Sequence, residues 1–189
     1  MNLRFFQSVY WVVGIAEIAV IIANGSSSPA MKSIVSMLMI SGNVDSLRFS
    51  TLSIVGLLSI SSGALLRLWC FRVMKDLFTF EMTIRENHQL VKTGPYSVVR
   101  HPSYAAVLAL EIGIFCWYPA HGSCLRESGV LGTVIGRVFF GIFAIVTVVI
   151  RVALFKRAAV EDAALKRTFG KEWEEWAHRV PYAIVPGVY

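Results

Sequence analysis

The amino-acid sequence predicts an all-α integral membrane protein with about four transmembrane helices, or five, and a cytosolic pocket formed by a connector and the C-terminal tail. Three observations predict it: apolar stretches almost free of charge, positive charge gathered into two segments, and a dense polar motif between two of the apolar stretches. Of the 189 residues 56% are hydrophobic, and the mean hydropathy is +0.62. An ordinary soluble domain holds only about 45–50% apolar residues.

Residues 8–23 form the first candidate span. A cleaved signal peptide is the competing reading, but Glu17 interrupts it and Ala23-Asn24-Gly25 is a poor small-residue cleavage site. Residues 29–40 are shorter and broken by Lys32 and serines, which suits an interfacial or re-entrant piece, or part of a fifth span. Residues 51–66 and 105–119 are the second and third spans. A fourth begins between Gly129 and Val138, carries Arg137 near its start and runs to about Leu154. Each approaches the roughly 20 residues that cross about 30 Å of hydrocarbon, some by borrowing flanking residues. In the last span Gly132 and Gly136 form a small-xxx-small pair suited to close helix packing. Glu17 and Glu111 lie inside spans, where an ionisable group is costly and takes a partner or faces a cavity. Arg137 can pair with either, or mark the lumenal end of the last span.

Charge sets the orientation. Six Lys/Arg (Arg67, Arg72, Lys75, Arg85, Lys92, Arg100) fall between the second and third spans, and seven (Arg151, Lys156, Arg157, Lys166, Arg167, Lys171, Arg179) fall in the tail. Both segments are expected on the cytosolic side, with 24–48 and 121–128 on the far side. The net charge of +6 is thereby assigned to topology and anionic lipid headgroups rather than to nucleic acid. Asn24-Gly25-Ser26 is a glycosylation sequon on the expected lumenal side. Cys70, Cys116 and Cys124 are odd in number and lack CxxC spacing, so they predict neither a metal site nor a disulfide framework.

The connector, 71–99, opens with an amphipathic helical rhythm in Phe71, Met74, Leu77 and Phe78. Gly94-Pro95 then breaks the chain, and Pro102 suits the first turn of the next span. The polar motif, His88-Gln89-Leu90-Val91-Lys92-Thr93-Gly94-Pro95-Tyr96 followed by Arg100-His101-Pro102-Ser103-Tyr104, is thus a loop ending as a helix N-terminus at the membrane surface. Donors and a positive dipole end meet there, which suits a polar or anionic ligand. In the tail the last span is expected to continue as an amphipathic helix to about Thr168, ended by Phe169-Gly170. The segment Glu172-Trp173-Glu174-Glu175-Trp176 then reads as a surface-lying, interface-anchoring helix.

Arg157 and Glu161 share one helix face. That spacing suits a solvated ion pair, or a clamp in which the arginine holds a carboxylate and the glutamate a polar or cationic group. His88 and His101 lack further ligands at familiar spacing, so no metal site is expected.

In combination these segments resemble the isoprenylcysteine carboxyl methyltransferase family. The resemblance rests on His88-Gln89-Leu90-Val91, Gly94-Pro95-Tyr96, Arg100 to Tyr104, Arg157 to Glu161, Phe169-Gly170-Lys171-Glu172-Trp173 and Val180-Pro181, in order over the C-terminal part of the chain. Glu81 stands where the family has a glutamine, and Trp173 and Trp176 stand in place of tyrosines.

The resemblance implies N-terminal transmembrane helices in 1–70 and a catalytic methyltransferase region, with the last two spans, in 71–189. It implies S-adenosyl-L-methionine held at the cytosolic face by His88, Gln89, Leu90, Val91, Tyr96, His101, Pro102, Ser103, Tyr104 and Glu161. Arg157 becomes the catalytic and substrate-binding residue, facing the C-terminal carboxylate of a prenylated cysteine, in an endoplasmic reticulum membrane. Phospholipid N-methyltransferases have a similar polar motif, but an amine must lose a proton before attack, which needs a base such as Glu161 or His101. Arg157 would repel their cationic substrate. A sterol reductase would need a larger bundle, and a non-catalytic scaffold of the same fold would bind no cofactor.

Overall fold

The computed structural model describes residues 3–75 and 89–187, with side chains from Ser8 onward. His88, Glu81, Leu77 and Phe78 therefore lie outside the described residues. Helices α1 (Leu3–Asn24), α2 (Pro29–Leu38), α3 (Thr51–Met74), α4 (Pro102–Trp117), α5 (Cys124–Glu127), α6 (Val134–Phe169) and α7 (Lys171–Arg179) follow one another, and no strand occurs among the described residues.

Local chemistry places the helix ends. Pro29 opens α2, where a missing N–H costs nothing, and the Ser123 side chain caps α5 by accepting from the Arg126 N–H. Gly170, at φ +51°, stops α6 directly after Phe169. The second span and the opening of the connector are one helix, because α3 runs unbroken from Thr51 to Met74. Helix α6 has 36 residues, about 54 Å at 1.5 Å per residue. That exceeds the roughly 30 Å of hydrocarbon that a span crosses.

The chain packs as two compact units, one of 1–57 with 114–144 and the other of 58–113 with 145–189. In the first unit Val20, Met39 and Cys124 form a core, joined by Val35, Leu38, Val44 and Leu47. The two segments expected on the far side meet there. Ser41 N–H donates to the Ser128 carbonyl at 3.3 Å and Arg48 N–H to the Gly122 carbonyl at 3.2 Å. Any Cβ at Gly42 would fall 1.5 Å from the Glu127 carbonyl oxygen, so only glycine fits. Glu17 accepts from Trp117 Nε1–H at 2.9 Å and from the Cys124 N–H at 3.1 Å.

The second unit has two cores. Cys70, Tyr96, Trp176 and Val180 make one, flanked by Leu90, Val91 and Trp173, and Ala158, Ala183 and Ile184 make the other, flanked by Tyr104 and Phe155. Three sequence expectations are corrected by this packing. Glu111 pairs with Arg151, and Glu17 has the donors named above, so neither acid uses Arg137. The glycine at a helix crossing is Gly63, whose Cβ would meet Ala106 O at 2.8 Å and Leu110 N at 2.9 Å; Gly132 has nothing within 4 Å and Gly136 abuts its own loop at Val130. Trp176, expected at the interface, is only 3% exposed because it fills the core beneath Tyr96.

Helices Thr51–Met74 and Val134–Phe169 are long and apolar enough to cross a membrane, and only 17% and 6% of their apolar windows is covered by protein. A core helix of a soluble protein would be covered, so these rows of exposed Leu, Ile and Val favour an apolar solvent. The segments Ser8–Asn24 and Pro102–Trp117 are shorter apolar helices.

Candidate active site

Gly94, at φ +60°, turns the connector where Val73 and Trp69 leave room for little more than hydrogen. The 3-10 turn Gly94–Ser97 follows and buries Tyr96. The Tyr96 hydroxyl donates to Met74 Sδ at 2.8 Å, and its carbonyl accepts from Trp176 Nε1–H at 3.2 Å. Burial raises the Tyr96 phenol well above its ordinary value, with a smaller contribution from Cys70. Lys92 reaches Glu172 at 2.7 Å, tying the connector to α7.

Arg100 and His101 fasten the connector to the tail. Their N–H groups donate to the Tyr182 and Ala183 carbonyls at 3.0 and 2.7 Å, and Arg100 Nη1 donates to the Val180 carbonyl at 3.0 Å. Asp162 completes the joint from α6: Oδ2 accepts from Arg100 Nε–H at 3.0 Å, and Oδ1 lies 3.0 Å from His101 Nε2. Burial alone would raise the Asp162 carboxyl, but the His101 hydrogen bond and charge, and then those of Arg100, outweigh it and hold the group below its ordinary value.

Glu161, one residue earlier, collects the remaining polar groups. Its Oε1 accepts from the Tyr104 hydroxyl at 2.7 Å and from Arg157 Nε–H at 2.9 Å, and its Oε2 lies 3.5 Å from His101 Nδ1. The His101 ring, 7% exposed, stacks on Tyr104 at a centroid separation of 5.6 Å. Arg67, from α3, donates through Nη1 to Ser103 Oγ at 3.1 Å.

The residues singled out from sequence therefore meet: Tyr104 and Glu161 bond across 57 positions, with His101 and Arg157 against the same carboxylate. Leu90, Val91 and Tyr96 pack in the core beside Trp173 and Trp176. Pro102 is fully buried, and Gln89 is exposed. Sequence reasoning missed Asp162, Arg67 and the role of Arg100. Asp162 stands four residues after the buried Ala158 and shares the inward face of the helix, a placement that only the fold reveals.

Residues 54–120 match the isoprenylcysteine carboxyl methyltransferase (ICMT) family. The chain is 30% identical over 131 residues to protein-S-isoprenylcysteine O-methyltransferase B of Arabidopsis thaliana, covering 68% of this chain and 57% of that one. Over these stretches the chain is similar to the isoprenylcysteine carboxyl methyltransferase family. A probable protein-S-isoprenylcysteine O-methyltransferase of Oryza sativa subsp. indica is 28% identical over 130 residues, 68% of this chain and 58% of that one. The nickel-cobalt-cadmium resistance protein NccN of Alcaligenes xylosoxydans xylosoxydans is 28% identical over 129 residues, 67% of this chain and 46% of that one. The chain thus spans about half the length of these curated relatives. No solved structure matches it.

Proposed function

We propose that this chain is a protein-S-isoprenylcysteine carboxyl O-methyltransferase: it uses S-adenosyl-L-methionine to esterify the C-terminal carboxylate of prenylated cysteine in processed CaaX proteins. The observation that carries the reading is the convergence of Tyr104, His101 and Arg157 on the one carboxylate of Glu161. Residues 71–189 are proposed to form the catalytic region. The four-span topology proposed here puts both termini and this cluster on the cytosolic side of the endoplasmic reticulum membrane.

The donor set suits the cofactor. An ionised carboxylate offers about four lone-pair sites, so Glu161, with two donors on Oε1 and one histidine near Oε2, retains acceptor capacity for an ammonium or hydroxyl group. Leu90, Val91 and Tyr96, which pack with Cys70 and Trp176 in the same unit, are the apolar side chains assigned to the cofactor's purine. Bound there, S-adenosyl-L-methionine supplies an electrophilic methyl group on a cationic sulfur.

The remaining work falls to the chain itself. An α-carboxyl group has a pKa of roughly 3.3–3.7, so the substrate is already ionised at neutral pH and no general base is required. Arg157 is assigned to hold that carboxylate, supplying positive charge and a planar donor set. Glu161 keeps Arg157 in place through its Nε–H. Asp162 and Arg100 hold the loop that carries His101 and leads into α4, where Tyr104 stands. Catalysis is then positioning and charge complementarity.

Purified protein with labelled S-adenosylmethionine and a farnesylcysteine analogue or phosphatidylethanolamine tests the proposal. Base-labile label on the prenylcysteine is expected. Base-stable label on the lipid amine, with none on the prenylcysteine, would replace this reading with an N-methyltransferase.

A further inference from the structure

The first unit contains a cavity of about 430 Å³ between the end of α1, the start of α3 and the loop after α4. Glu17, Asn24, Asp45, Arg48, Phe49 and Trp117 supply its chemistry. None of them takes part in the Glu161 cluster.

Glu17 stands seven residues before the last residue of α1, about 10 Å inside the helix end at 1.5 Å per residue. A carboxylate at that depth in an apolar helix is costly and takes partners. Each of its oxygens accepts one N–H, from Trp117 and Cys124, and about two of its four lone-pair sites remain. Asp45 and Arg48 are exposed and have no ion-pair partner among the described residues. Phe49 meets Trp117 edge to face at 6.0 Å, giving the cavity an aromatic wall, and such a wall attracts an ammonium group.

Two acids and an aromatic wall favour a cation; the single arginine favours an anionic oxygen. A ligand that is anionic throughout would meet two carboxylates, and a simple cation would meet Arg48. The apolar rows beside the cavity are uncovered: Ile18, Ile21 and Ile22 on α1 are 57%, 57% and 62% exposed. These rows suit acyl chains.

We propose that this cavity binds the zwitterionic amine–phosphate headgroup of a membrane phospholipid, its ammonium on Glu17 and Asp45 and its phosphate on Arg48. The site is independent of methyl transfer, so failure of the activity assay leaves it standing.

The test titrates the full chain, purified in detergent, with phosphatidylethanolamine, with phosphatidylglycerol of the same acyl chains, and with soluble phosphoethanolamine. Bound molecules are counted by native mass spectrometry and checked by thermal shift. Phosphatidylethanolamine is expected to be retained at least about fivefold over phosphatidylglycerol, the scale of one cation–π or charge contact. Glu17→Gln, Asp45→Asn and Arg48→Ala are each expected to erase that preference, and Lys32→Ala to keep it. Glu17→Gln also disturbs the bonds to Trp117 and Cys124, so the two exposed variants carry the test if it fails to fold. Equal retention of both lipids, or a preference that survives Asp45→Asn and Arg48→Ala, overturns the site. Phosphoethanolamine binding as tightly as the lipid overturns a lipid as its occupant.

Discussion

Glu161 and Asp162 are neighbours in sequence with different duties. Glu161 accepts from Tyr104 and Arg157, groups proposed to touch cofactor and substrate, so its neighbours report on kinetics. Tyr104→Phe is expected to raise KM for S-adenosylmethionine about tenfold with little change in kcat, the effect of one lost hydrogen bond to a charged group. Arg157→Ala is expected to lower kcat at saturating cofactor by at least about 100-fold, the scale of a lost charge-stabilising donor. A variant that loses cofactor affinity and keeps kcat would reverse the assignment. Asp162 instead reports on stability. Its carboxyl lies below the ordinary 3.8 in the folded chain, so the folded state binds fewer protons than the unfolded one near that pH. The contribution is full above 3.8 and is lost as pH falls through the lower folded value. Thermal unfolding should therefore place Asp162→Asn about 1–3 kcal/mol below wild type at neutral pH, and that gap should narrow only once pH drops below about 4.

At the scale of helices, the crossing of α3 and α4 is set by a missing side chain. A Cβ at Gly63 would sit 2.8 Å from the Ala106 carbonyl oxygen, a backbone atom with nowhere to go. Gly63→Ala is therefore expected to cost about 1–3 kcal/mol by overpacking. In Gly141→Ala, where nothing lies within 4 Å, the variant should be neutral or gain up to about 1 kcal/mol from helix propensity. Thermal melts in detergent compare the two. The sequence pattern made the helices legible, since apolar runs and the Gly170 stop mark their extents. It did not distinguish Gly63 from Gly132, because a glycine's role depends on which backbone passes it. Trp176 went astray for a related reason: a tryptophan near a span suits an interface and a core equally, and the Tyr96 carbonyl it meets is 80 residues distant.

For the molecule as a whole, charge placement and hydropathy predict a chain that lives in a bilayer, and the uncovered helices Thr51–Met74 and Val134–Phe169 agree. Single cysteines introduced at Lys32 and at Lys166, in a background without native cysteines, should label from opposite sides of sealed vesicles. Labelling from one side would overturn the proposed topology. Much of the candidate site was readable because Arg157, Glu161 and the Arg100 to Tyr104 run have a recognisable order. Asp162 and Arg67 were not, because their importance comes from partners at positions 100, 101 and 103 that only folding supplies.

The bonds from Arg100 and His101 to the carbonyls of residues 180–183 set a timetable for the chain's birth. Translation delivers every residue proposed for the site before it delivers the segment that fastens them. A message cut short ahead of Val180 would encode each residue proposed for catalysis and still yield a loop held through Asp162 but without the carbonyls of residues 180–183. Late stop codons should therefore be as damaging to this protein as a change at Glu161 itself.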